Sequence, residues 1–207
     1  MFYICRNNHD MKTASLFLFI FITSFVYSQN FVNTQSVESK ILELNSKHRV
    51  SKGESERTIC EVSKKAADLQ LKYLVDNNLI THQSNIVLKG KTLNEPQQRF
   101  DYFNKDSVKP VNSSGKIARK YYNGEVISYR TQSFVNDSTI NDKIALSVYN
   151  GFCGSKFHNH IINSHNYFDG RKTTGYYSVK IVVLEENSKD ITLQITCVGV
   201  MSLTLEE

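Results

Sequence analysis

Toward its end the chain is apolar at alternate positions. Tyr177, Val179, Ile181 and Val183 form one run, and after a polar stretch at 185–190 a second run follows through Ile191, Leu193, Ile195, Cys197, Gly199, Met201 and Leu203. Successive side chains of a strand point to opposite faces, so a period of two describes a strand with one apolar face. Two such runs joined by a short polar turn predict an antiparallel hairpin. The apolar face of that hairpin needs a cover, and the rest of the chain has to supply it.

Helical patterns upstream offer the cover. Val37, Ile41, Leu44 and His48 recur at helical spacing until a polar break at 51–57. Thr58 and Glu61 read as a capping box opening a second helix, whose stripe is Val62, Ala66, Leu69 and Tyr73 and which ends at Asp76-Asn77-Asn78. Residues 84–123 have weak periodicity and hold both prolines, Pro96 and Pro110, so a short helix over Pro96–Asn104 inside a long loop is expected. Glu125, Ile127 and Tyr129 mark one face of a short strand over 125–130. Residues 138–150 read as a helix through Ile140, Ile144 and Val148 with Gly151 as its C-cap, and 155–163 as another short helix. Helices followed by a terminal hairpin, with no alternation of strand and helix, give an α+β class.

The length of 207 residues suits a single domain with a sizeable core. With 40% hydrophobic residues, only 9 Gly and 2 Pro, the chain is neither collagen-like nor a charged disordered sequence. The balance of 25 Lys+Arg against 20 Asp+Glu leaves +5, a dispersed excess that predicts no nucleic-acid partner.

Residues 14–26 are free of charge, and thirteen residues make roughly 20 Å of helix, short of a bilayer core of about 30 Å. Arg6 and Lys12 precede the run, and Val26-Tyr27-Ser28 follows it with a small residue at the end. That is the secretory pattern, with cleavage expected after Ser28 and a start at Met11 more ordinary than one at Met1. A secreted or periplasmic protein with no stable membrane span after cleavage is expected. Removal of 1–28 leaves Cys60, Cys153 and Cys197, which permits one disulfide and one free thiol without saying which.

The candidate chemistry rests on histidines and one glutamate. His82 ends a helix-to-loop segment just beyond the second helix, Glu125 follows Gly124, and His158 lies in Ser155-Lys-Phe-His158-Asn-His-Ile-Ile162. Imidazole and carboxylate suit zinc and similar divalent ions, although these separations form no local metal motif. His158 and His160 would point about 200° apart on a helix, so one of them is expected to face a cavity. No Gly-x-Ser-x-Gly, phosphate loop or His-Glu-x-x-His is present.

These segments in this order resemble the CAP superfamily, the SCP or cysteine-rich secretory protein domain, over residues 41–207. The segment Ile41-Leu-Glu-Leu-Asn45-Ser-Lys-His-Arg49 is similar to the family's opening helix, and 66–82 to the helix that delivers its first cavity histidine. Gly124-Glu125 resembles the Gly-Glu-Asn signature, with Val126 in place of the Asn, and 155–162 resembles the segment of the second histidine. Residues 29–36 are polar and read as a short lead-in; the resemblance implies 37–207 as one α-β-α sandwich with a central antiparallel sheet. It implies a cleft that gathers His82, Glu125 and His158, with a divalent metal such as zinc as the candidate cofactor. A monomer that binds a metal, a small molecule, a lipid or an envelope component is expected. The alternatives are a metal-dependent hydrolase with Glu125 as general base, and a structural module whose cavity is vestigial.

Overall fold

A computed structural model describes residues 31–105, 118–163 and 171–206. The apolar run at 14–26, the cleavage position after Ser28, Pro110 and His165 lie outside the described residues. Helix α1 (Thr34–Ser51) starts three residues before its first apolar position, because the Asn33 side chain accepts from the Ser36 amide at 2.9 Å and caps the first turn. Strand β1 (Thr58–Ile59) and helix α2 (Glu61–Asn77) follow, then the hairpin of β2 (Ile86–Leu88) and β3 (Lys91–Leu93) and helix α3 (Pro96–Asn104). Strand β4 (Ala118–Val135), helices α4 (Ile140–Gly154) and α5 (Lys156–Ile162), and strands β5 (Arg171–Glu186) and β6 (Asp190–Glu206) complete the chain order.

The main sheet has the order β1-β5-β6-β4. Strand β6 sits between β5 and β4, antiparallel to both, while β1 adds to β5 in parallel, so the sheet is mixed. Because helices cover both faces, β6 is apolar on both over part of its length. Ile191, Leu193, Ile195, Cys197 and Met201 turn toward a core shared with α1, α4 and α5. Val198 and Val200 turn the other way, toward α2 and Phe100 of α3. Each fully buried Ile, Leu or Phe side chain stabilises by about 1.5–3 kcal/mol, which makes the two cores the main support of the sandwich. The fold is α+β, with a sheet between helical layers.

The structure corrects several local expectations. Thr58 belongs to β1, opposite Thr174 in β5, and Cys60 caps α2 without a side-chain hydrogen bond, so there is no capping box. The buried face of α1 is Val37, Ile41, Asn45 and Arg49, and that of α2 is Val62, Ser63, Ala66, Ala67, Gln70 and Leu74. Both stripes include polar side chains that bond inside the molecule. Asn45 donates to the Ile162 carbonyl at 3.0 Å, and Ser63 bonds Ser202 at 2.8 Å. Gly151 lies inside α4 rather than capping it, and a Cβ there would meet the Arg130 guanidinium at 1.8 Å. The guanidinium is held against α4 by the Ser147 carbonyl and hydroxyl. Cys60 and Cys197 are buried in different cores, and all three described cysteines are free, so the disulfide that the sequence permits is not formed among them.

Candidate functional site

The edge strand β4 is broken in register between Tyr122 and Gly124, where a bulge shifts its pairing with β6. Immediately after the bulge, Glu125 points to the α3 side, as Ile127 does. Gly124 lies against Ile161 of α5, where a Cβ would come within 2.7 Å. The stretch after the bulge thus meets both α5 and α3, and His158 of α5 lies beside His82, which contacts Glu125.

Glu125 is 3% exposed and its neighbour Arg99 is fully buried. Arg99 Nη2 donates to both carboxylate oxygens, at 3.0 and 2.9 Å, and to the His82 carbonyl at 2.9 Å. Its Nη1 donates to Ser84 Oγ at 3.0 Å and to the Asn94 carbonyl at 3.2 Å. Burial of two opposite charges is tolerable when most of the remaining polar atoms are satisfied; here Nε of Arg99 has no partner, while Nη1 and Nη2 bind the 82–94 loop to the sheet edge. Nothing in the sequence marked Arg99: it is a polar residue on a short helix, 26 positions from its partner.

His82 Nδ1 lies 3.1 Å from Glu125 Oε1, and its side chain is 43% exposed. In the tautomer with the proton on Nδ1, that nitrogen donates to Glu125 Oε1 and Nε2 is the acceptor. The His158 ring stands 6.5 Å from the His82 ring, edge-on, and also meets the buried Phe152 at 5.7 Å and Phe157 at 6.2 Å. His160 is exposed, and His48 is placed elsewhere, bonding the Tyr149 hydroxyl at 2.8 Å. The structure thus gathers His82, Glu125 and His158, and adds Arg99.

The three sequence-derived donors do not fit one resident divalent ion as they stand. Arg99 occupies both Glu125 oxygens. With a metal–nitrogen bond of about 2.0–2.1 Å, two imidazoles sharing an ion tetrahedrally would have ring centres about 5.2 Å apart, closer than the 6.5 Å found. Among the described residues no group of three or more His, Cys, Asp or Glu is arranged to hold a metal.

Burial, and secondarily the His82 charge, hold the His158 imidazole below the ordinary 6.5. The folded chain therefore binds that proton more weakly than the unfolded chain does. Its contribution to stability is complete above about pH 6.5 and is lost as pH falls toward the lower folded value. The urea midpoint is expected to fall on acidification below pH 6.5. Part of that fall should disappear in His158→Asn, and parallel pH profiles for the two proteins would refute it.

No family model matches the chain, and no curated protein does. Among solved structures it is similar to an outer surface protein of Borrelia burgdorferi, at 16% identity and a TM-score of 0.42, covering 85% of this chain and 97% of that one.

Proposed function

We propose that this chain is an exported binding module of the CAP type, and that its ligand is an amphiphile seated against His82 and His158 at the edge of β4. The observation that supports binding over hydrolysis is the state of Glu125. A general base needs a free oxygen facing water, whereas this carboxylate is buried with both oxygens on Arg99 and one also on His82. Its role is to orient His82, whose Nε2 then accepts a hydrogen bond from a polar head.

The apolar part of the ligand has a matching surface. Phe157, 67% exposed, lies beside His158, and Leu79 and Ile80, 45% and 61% exposed, precede His82 by a few residues. Imidazoles bordered by exposed apolar side chains favour a molecule with a hydroxyl-bearing head and a hydrocarbon body. Export rests on the apolar run at 14–26. No helix among the described residues is long and apolar enough to cross a membrane.

Titration of the purified chain with a naturally fluorescent sterol and with short-chain phosphatidylglycerol tests the reading. Saturable binding of either probe, weakened about tenfold or more by both Phe157→Ser and His158→Ala, supports it. Affinity unchanged by both substitutions, or no binding of either probe, rejects it.

A further inference from the structure

We propose a second site, a pocket for acidic sugar chains between the β2–β3 hairpin, α2 and α3. The pocket has a volume of about 520 Å³ and is lined by Lys65, Lys89, Lys91 and Lys105 around Tyr102 and Phe103, with no acidic residue among the described residues of its wall. Among the described residues none of these four ammonium groups is ion-paired. On the same helix as Lys65, by contrast, Lys64 and Lys72 are held by Asp68 and Asp76. Four like charges around one concavity repel within a screening length of about 8 Å, and an anion in the pocket relieves that repulsion.

The hairpin turn adds a second, independent observation. Lys89 has φ 47° and Gly90 φ 74°, a two-residue turn in which both residues are left-handed. Asn or Asp is the usual first residue of such a turn, because its short polar side chain bonds the local backbone and offsets the Cβ strain that Lys bears in full. Here the strained position carries a cation at the mouth of the pocket.

The form of the pocket selects the class of anion. Lysines present mobile point charges, which suit sulfate and carboxylate groups spread along a chain better than a single phosphate gripped by a planar fork. Tyr102 and Phe103 meet at 88°, so they do not form the parallel platforms on which successive bases stack. Both rings are half-buried, so they offer a recessed wall and no protruding wedge for a bilayer. A pyranose ring packs its C–H face on such a wall while its acidic groups reach the lysines.

Calorimetric titration of the purified chain with a heparin-derived hexasaccharide at physiological salt tests the site. Neutral maltohexaose, tripolyphosphate and phosphatidylglycerol vesicles serve as comparison ligands. The hexasaccharide is expected to bind with an affinity that falls as salt rises, and maltohexaose is not expected to bind. Lys89→Asn should weaken binding about threefold to fivefold without lowering the melting temperature, and adding Lys91→Gln should bring the loss to about tenfold or more. Tyr102→Ser should weaken the sugar and spare tripolyphosphate. His158→Ala should leave the affinity unchanged, which separates this pocket from the site at β4. The proposal is overturned if the hexasaccharide fails to bind or is indifferent to both lysine changes. It is also overturned if tripolyphosphate binds as tightly with Tyr102 irrelevant, or if vesicles bind and the sugar does not.

Discussion

Replacing Arg99 with methionine is expected to destabilise the fold by about 3–5 kcal/mol, because it strands Glu125 as a buried charge without its partner. The carboxylate is 3% exposed and its remaining neighbour is one imidazole nitrogen, so neither water nor His82 can take over the contacts that Arg99 makes with both oxygens. The loss includes the loop. Arg99 also holds the His82 and Asn94 carbonyls, so His82 should become mobile as well as less well oriented. Denaturant unfolding measures the first effect and the His82 ring resonances the second. The double variant Arg99→Met with Glu125→Leu should recover much of the stability, since an apolar pair of similar shape strands no charge. A single-variant loss under about 1 kcal/mol, or losses that simply add, would show that the pair is not acting as a buried ion pair.

Gly199→Ala should cost about 3 kcal/mol, at the upper end of what overpacking does. A Cβ at this position in central strand β6 would lie 2.7 Å from the Tyr177 ring and 2.8 Å from Val126 Cγ2. Both neighbours are essentially inaccessible, at 1% and 0% exposure, and have no room to withdraw. Tyr177 stacks on Phe152 at 6.0 Å, and Phe152 meets His158 at 5.7 Å, so displacement of the tyrosine reaches the candidate site. A fall of about 6–12 °C in melting temperature is expected. The added change Val126→Ala should restore part of it, and a Gly199→Ala protein as stable as the parent would contradict the packing described.

The helices and the terminal hairpin were legible because their burial is periodic and local. Strand β4 was legible only over 125–130, for two physical reasons. Its bulge at 122–124 breaks the alternation, and its far end, Thr131, Gln132 and Ser133, is exposed and polar. Thr58 looked like a cap because its pairing partner, Thr174, is distant in the chain. The β2–β3 hairpin was hidden because Lys-Gly is not a recognised turn signal in the way Asn-Gly is. At the candidate site, the histidines and Glu125 were visible as residue types able to do chemistry. Arg99, the residue that sets the state of Glu125, was not, since a buried ion pair between distant segments leaves no local pattern.

The central position of β6 has a consequence for how the molecule is made. Among the described residues, strand β4 pairs only with β6, and β5 has no long partner except β6. A nascent chain that has not yet emerged from the ribosome beyond Asp190 can form helices and the small β2–β3 hairpin, but it has no backbone to join its two long strands. The sheet therefore assembles only after translation of the last described element, through contacts as far apart as Ala118 and Glu206. Until β6 is made, β4 and β5 stay apart, each with an open backbone edge.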